Sequence, residues 1–382
     1  MSKFVIARSD GMGWAVIAKD LADTLNRESK QSAQTTRLGF LYATDDLAED
    51  YPSILTFLRQ KTGIEHWVGS LGYGVCSTGY ECYGESAAVV MVGSFPDSAF
   101  EIVRTLDQDI AQLDPDTADW IAEKSPPFGI IHGDPSNAET AVLIEDLSLE
   151  MELLSKNYPG FLVGGLTASR NRPYQIADDI TEGGISGVLF APGCEVATGL
   201  TQGCSPLGEV HTVTDCVDNI IIGLDGESAM TVFRRDIGEL LSRNLERVSG
   251  YIHTAFLVTG SDTGDYMARN LVGIDKDRGW LAVGAEVSPG DRVMFVRRDP
   301  ESAIRDLVRM TTDLKNRLQD VPRGGIYFSC VSRGEAMFGE NGREMGIIKE
   351  ILGDVPIVGF FGQGEVSNNR LYSYAGVLAL FM

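Results

Sequence analysis

One order of elements occurs three times along this chain: an apolar strand, a helix, a glycine-rich strand, and a hairpin that returns to a strongly apolar strand. The first copy runs through LGFLYA (38–43), a helix near 51–61, WVGSLGYGVCSTG (67–79) and SAAVVMVG (86–93). The second runs through FGIIHG (128–133), a helix near 137–156, FLVGGLTAS (161–169) and ISGVLFA (185–191). The third is GGIYFSC (324–330), a helix near 342–352, PIVGFFGQGEV (356–366) and YAGVLALF (374–381). Repetition constrains the fold strongly, because a single copy of such a unit cannot bury its apolar face alone.

Local signals place the helices. Ser136 with Glu139, and Asn341 with Glu344, have the spacing of a capping box, and Leu143, Leu147, Met151 and Leu154 recur on one helical face. Gly63, Pro159-Gly160 and Gly353 mark helix ends. Trp14, Ile17, Leu21 and Leu25 make an amphipathic N-terminal helix, and Asp299-Pro300 opens another carrying Ile304, Leu307, Val308, Leu314 and Leu318. Between 195 and 280 the pattern turns to strands broken by a helix near 227–246. Hairpins mixed with strand-helix-strand units predict an α+β fold with mixed sheets covered by helices. Two domains are expected, 1–222 and 223–382, with the boundary where a strand runs into Leu224-Asp225-Gly226.

The 382 residues carry 32 Lys and Arg against 54 Asp and Glu, a formal charge of −22 that repels phosphate backbones and anionic lipid heads. Nucleic acid and membrane surfaces are therefore poor partners. The six cysteines form no C-x-x-C pair, and neither a signal peptide nor an apolar run of about 20 residues is visible, so a cytoplasmic location is expected.

Val163-Gly164-Gly165, Gln202-Gly203-Cys204-Ser205-Pro206-Leu207-Gly208, Val213-Thr214 and Leu224-Asp225-Gly226-Glu227-Ser228-Ala229 resemble the end of a FIST N domain running into a FIST C domain. Phe328-Ser329-Cys330, Arg333-Gly334, Phe338-Gly339, Gly342-Arg343-Glu344, Pro356 to Phe361 and Gly364-Glu365 continue the likeness, which spans roughly 32–381. The resemblance implies a sensory module, named for F-box and intracellular signal transduction proteins, that binds small ligands such as amino acids. It further implies signalling to a separate partner such as a histidine kinase or cyclase, with a homodimer as one possible assembly. One branch of relatives implies an alternative, a haem-binding nitric-oxide sensor regulating a histidine kinase or a cyclic-di-GMP enzyme, and the F-box relatives imply another, an adaptor without a ligand. Two departures from the family pattern bear on the ligand loops: Val366-Ser-Asn-Asn369 stands where a Gly-Pro turn often follows Gly-Glu, and VGSLGYGVCSTG is longer than usual.

No catalytic motif is present. Ser77 is one residue out of register for G-x-S-x-G, Gly334 to Gly339 continues with Glu340-Asn341 where a phosphate loop needs Lys-Ser/Thr, and H-E-x-x-H and G-x-G-x-x-G are absent. A binding protein is the expectation. Gly164, Gly165, Gly362 and Gly364 serve either close packing or access of a ligand to bare backbone. Glu365 is a lone carboxylate among those glycines, and Cys330, Ser332, Arg333 and Gly334 follow the adjacent strand, with Phe338 close behind. Arg333 and Glu365 either read a free amino acid, the guanidinium on its carboxylate and the carboxylate on its ammonium, or form a plain ion pair. Cys76 and Ser77 are further candidates from the first repeat, with packing the simpler role for a buried thiol. No metal site is expected. Among His66, His132, His211 and His253, His211 is the first choice for a haem ligand and His66 the second.

Overall fold

The computed structural model describes residues 4–28, 35–155, 160–242, 245, 250–258 and 265–382. Two compact units form, and they are not consecutive halves of the chain: one comprises 1–201 with 306–382, the other 202–305, so residue 222 lies inside the second. The fold is α+β with mixed sheets in two units.

In chain order the first repeat consists of β1 (Val5–Asp10), α1 (Trp14–Glu28), β2 (Thr35–Thr44), α2 (Tyr51–Thr62), β3 (His66–Gly72), the hairpin β4 (Gly74–Ser77) and β5 (Tyr80–Tyr83), and β6 (Ala87–Pro96). The second copies it: β7 (Phe100–Leu106), α3 (Pro115–Lys124), β8 (Phe128–Gly133), α4 (Thr140–Leu154), β9 (Phe161–Leu166), β10 (Gln175–Ala177) with β11 (Asp179–Thr181), and β12 (Ile185–Phe190). The third begins with β13 (Val196–Gln202) and is then interrupted by the whole second unit. That unit holds β14 (Cys204–Pro206), β15 (His211–Val217), β16 (Ile220–Leu224), β17 (Glu227–Ser228), α5 (Ala229–Ser242), β18 (Ile252–Leu257), β19 (Tyr266–Asp275), β20 (Trp280–Val283) and β21 (Arg292–Arg298). The third repeat resumes with α6 (Pro300–Arg317), β22 (Gly324–Cys330), α7 (Glu335–Phe338), α8 (Arg343–Leu352), β23 (Ile357–Gly362), β24 (Glu365–Ser367) with β25 (Arg370–Tyr372), and β26 (Ala375–Phe381).

Each repeat lends its hairpin to another. The three six-stranded sheets are ordered β1-β6-β2-β3-β10-β11, β7-β12-β8-β9-β24-β25 and β13-β26-β22-β23-β4-β5. The first sheet thus takes its hairpin from the second repeat, the second from the third, and the third from the first. Within each sheet one pair is parallel, and the three pairs share a contact: Gly69 lies opposite Leu41, Gly164 opposite Ile131 and Gly359 opposite Tyr327. A Cβ added at these glycines would stand 1.9, 1.8 and 1.8 Å from the partner's carbonyl oxygen, so only glycine fits. The inner faces of the sheets meet in one aromatic core. Phe381 illustrates it, with ring centroids 5.3 Å from Phe4, 6.1 Å from Phe40, 6.4 Å from Phe128 and 5.4 Å from Phe190. Burying a side chain of this size contributes about 1.5–3 kcal/mol. β26 sits between β13 and β22 with every residue buried, as its unbroken apolar run predicts.

Helix ends follow the glycine signals: Gly63 adopts φ 64° and its N–H reaches Arg59 O, and Gly353 closes α8. Pro159 lies outside the described residues. Both capping-box expectations are corrected. α4 starts later, at Thr140; Ser136 donates to Asp134 Oδ1 at 2.6 Å, and Asn137 Oδ1 accepts from the Glu139 N–H at 2.8 Å. α8 starts at Arg343 behind Gly342 with φ 81°, and the Glu344 carboxylate turns into the protein. In each case a local side-chain cap loses to a different hydrogen bond. The helix expected near 227–246 runs from Ala229 to Ser242 and breaks at Gly238, φ 77°; residue 246 lies outside the described residues.

The second unit is a sheet closed on itself, since β21 pairs with β15 at one side and β18 at the other, and β15, β16, β20, β19 and β18 complete the ring. Phe233 of α5 packs on Phe295 of β21 at 4.8 Å in its core. Among the described residues no helix is long and apolar enough to cross a membrane.

Candidate functional site

The carboxyl ends of β22 and β23 carry a buried polar cluster. Strand alternation sends Tyr327 and Ser329 to the helix side of the sheet, and there Glu344, at the start of α8, receives both hydroxyls on Oε1 at 2.6 and 3.1 Å. After β22 the chain turns, with the Arg333 N–H on Cys330 O at 2.9 Å, and the Arg333 Nε reaches the same Glu344 oxygen at 2.8 Å. Glu344 Oε2 accepts from the Gly334 N–H at 3.1 Å. Four donors thus converge on one fully buried carboxylate.

Arg333 is only 2% exposed, and its guanidinium carbon lies 5.1 Å from the centre of the Phe338 ring. Burial works against its charge, but Glu344, Tyr327 and Glu365 outweigh that and hold it protonated. Nε is tied and one face is covered, yet Nη1 and Nη2 have no hydrogen-bond partner among the described residues. Glu365 is fully buried; its Oε2 accepts from the Ala375 N–H at 3.1 Å, and Oε1 has no partner among the described residues. Burial pushes the Glu365 carboxyl well above the usual range, a push that the Ala375 N–H, Arg333 and the Cys330 thiol oppose. Among the described residues no Arg333–Glu365 ion pair forms within 4.0 Å: the structural partner of Arg333 is Glu344.

The exchanged hairpins bring in the remaining candidates. Cys76 lies opposite Gly359 and Ser77 opposite Val358, while Glu365 lies opposite Gly165 and Val366 opposite Gly164. The glycines have packing roles: a Cβ at Gly362 would stand 2.4 Å from Leu166 O, one at Gly165 would stand 3.0 Å from Phe360, and one at Gly364 would stand 3.0 Å from Leu371. Protein fills the space those glycines leave, which corrects the idea that they clear room for a ligand. Ser332 is half-buried beside Arg333, and Gly334 takes φ 59° under the Tyr83 ring, where a Cβ would meet the hydroxyl at 2.2 Å. Ser77 Oγ is buried without a partner among the described residues. Burial pushes the Cys76 thiol well up, with Glu81 and Glu344 adding to it, so this thiol is held neutral.

Two residues of the cluster escape sequence reasoning. Glu81 arrives on the first repeat's hairpin, its Oε1 accepting from the Met345 N–H and its Oε2 from Tyr83 OH, both at 2.8 Å. Burial first, then the Glu344 charge, push its carboxyl up to about 7. Glu344 is visible in the sequence as a helix-start signal and as part of the family likeness, neither of which shows that it points inward. Its inward role depends on Arg333, 11 residues away on another element.

Neither histidine expected as a haem ligand fits one. His211 Nδ1 lies 2.6 Å from Asp225 Oδ2 and Nε2 lies 2.7 Å from Asp236 Oδ2, so neither nitrogen is open to iron. His132 is fully buried with Nε2 3.1 Å from Tyr42 OH, and burial alone lowers it to about 3. Burial and Arg298 bring His253 down to about 4. His66, held on Asp178 at 3.0 Å, opens on a cavity of about 590 Å³ whose walls include Glu101, Arg104, Asp178 and Asp179, a charged lining unlike the apolar slot haem needs.

The FIST N domain model matches residues 37–227 and the FIST C domain model residues 229–368. Uncharacterised proteins from two strains of Mycobacterium tuberculosis are each 28% identical over 329 residues, covering 82% of this chain and 83% of theirs. An uncharacterised protein of Mycobacterium bovis is 29% identical over 231 residues, 58% of this chain and 59% of its own. A crystal structure of cyanuric acid hydrolase from A. caulinodans aligns over 100% of this chain and 99% of that one, with a TM-score of 0.34 and 10% identity. With its two domain models together spanning nearly the whole repeat array and the inserted unit, this chain belongs to the FIST family of signal-transduction sensor domains.

Proposed function

We propose that the protein is a sensory module that binds a small carboxylate-bearing ligand, the amino acids being the first class to test, at the Arg333–Glu365 site, and passes the occupancy to a separate signalling partner. The observation that carries this reading is the free edge of the Arg333 guanidinium, buried and unpartnered among the described residues while Glu344 and Phe338 hold it in place. A buried donor left unmade costs about 1–3 kcal/mol, so the arrangement persists at a cost that a ligand removes. The site lies beyond the carboxyl ends of two parallel strands, where ligands of such units gather. Access requires the cover to move. The segment 334–342 carries the single-turn α7 between Gly334, Gly339 and Gly342, all at positive φ, and holds Phe338 over the guanidinium.

Calorimetric titration of amino acids and other small carboxylates into the wild type and Arg333→Lys tests the reading. Loss of the fork is expected to weaken binding roughly 10- to 150-fold, from a charged hydrogen bond of about 1.5–3 kcal/mol. Equal affinity in both proteins, with both folded, removes this site as the sensor. An absorption spectrum of the purified protein without a Soret band is the parallel expectation, since neither His211 nor His66 suits haem.

A further inference from the structure

Resting on the Arg333–Glu365 site as the ligand site, the balance of donors and acceptors narrows what the ligand presents. Nη1 and Nη2 of Arg333 are both unpartnered among the described residues, and each carries two N–H groups; against them the site leaves one carboxylate oxygen free, Glu365 Oε1. The shortage is therefore of acceptors. An ammonium would make it worse, since it brings three further donors to one oxygen.

The charges agree with the count. Glu344 and Glu365 both act on the one guanidinium and Glu81 is buried against Glu344, so this linked cluster sets three carboxyl groups against a single positive charge. Glu344 takes four donors, one of them Arg333 Nε. Glu81 takes the Met345 N–H and the Tyr83 hydroxyl. Glu365 has one backbone N–H on Oε2 and the Cys330 thiol beside it, and burial outweighs these and Arg333 in pushing its carboxyl toward the neutral form. Protonated on Oε1 it becomes a donor, pointing the site further toward acceptor ligands.

We infer that this site takes a small organic acid whose carboxylate is not flanked by an ammonium, a 2-oxo acid being the class whose carboxylate and adjacent carbonyl fill both the guanidinium fork and Glu365. An α-amino acid of the same skeleton binds less well.

The test is calorimetric titration of the full chain with matched pairs: pyruvate against alanine, 2-oxoglutarate against glutamate, and 4-methyl-2-oxopentanoate against leucine. In at least one pair the oxo acid is expected to bind about tenfold tighter or more. Arg333→Lys, which keeps the charge opposite Glu344 and loses the fork, is expected to weaken it by about tenfold or more, and Glu365→Gln, whose amide still donates, to hold it within about threefold. Thermal melts confirm that both variants are folded. Tighter binding of the amino acids, lost in Glu365→Gln, overturns the inference and leaves the sensory site standing. Binding of either series that ignores Arg333→Lys, or no binding of any of the six to the wild type, overturns both.

Discussion

Glu344, and not Glu365, is the counter-charge of Arg333: Glu344 Oε1 stands 2.8 Å from Arg333 Nε, and both side chains are buried. Removing one member of such a pair strands the other in a low-dielectric interior, so Glu344→Ala is expected to cost about 3–5 kcal/mol in urea unfolding. Glu365→Gln, which strands no charge, should cost about 1 kcal/mol or less. A reversed order would mean that Arg333 is held mainly by Glu365.

The glycines of the parallel pairs make a sharp stability contrast. Gly164→Ala drives a methyl to within 1.8 Å of Ile131 O, and the strands must part. A loss of about 3 kcal/mol or more is expected, at the upper end for single substitutions. Gly346→Ala, inside α8 with nothing within 4 Å of the new methyl, should gain up to about 1 kcal/mol. Thermal denaturation of the two variants side by side checks the pair.

Glu81 ties stability to pH. Its carboxyl is raised from an ordinary 4.5 to about 7 in the folded protein, first by burial and then by Glu344. A raised folded value means that its contribution is fully present below the unfolded value and is lost as pH rises through about 7. Stability should therefore fall as pH climbs from the ordinary carboxylate range through about 7, read by melting temperature, and Glu81→Gln should flatten that stretch of the profile. An unchanged slope would show that Glu81 stays ionised throughout.

His211 acts in the same direction from the second unit. Burial opposes its positive charge, but hydrogen bonds to Asp225 and Asp236 outweigh this and raise it from 6.5. Only the imidazolium donates from both nitrogens, so the double clamp holds at low pH and one side releases as pH climbs past the raised value. His211→Gln is expected to lower the melting temperature most below the ordinary imidazole range and to narrow the gap to wild type as the solution turns alkaline.

Deleting Val377 to Met382 should abolish soluble expression. These residues take away most of β26, an interior strand, together with Phe381, whose ring touches Phe40 and Phe128 of the other two sheets. A folded, soluble truncate would contradict that placement.

The repeats are legible in the sequence because each copy spells its own strands, helix and hairpin over a short stretch of chain, a range over which periodicity and glycine signals work. The exchange of hairpins is not, since Thr78 and Ile357, which share a hydrogen bond, lie 279 residues apart. The site divides the same way. Arg333, Glu365 and Cys330 stand out as polar or reactive groups in glycine-rich surroundings, whereas Glu81 is one more charge in a short hairpin until the hairpin docks under α8. Glu344 misleads for a physical reason: an acid early in a helix satisfies local capping and inward pairing equally well on paper, and the buried arginine decides between them.

The borrowed hairpins also set a clock on biosynthesis. A ribosome adds about 5–20 residues per second, so the first repeat's β4–β5 hairpin waits roughly 15–60 s for the strand it pairs with, and β3 waits for the second repeat's hairpin with its edge exposed. The first sheet can be completed once the second repeat's hairpin emerges, but the second and third sheets stay incomplete until the last repeat does. The nascent chain therefore spends most of its synthesis presenting open strand edges, the state in which chaperone capture and edge-to-edge aggregation compete with folding.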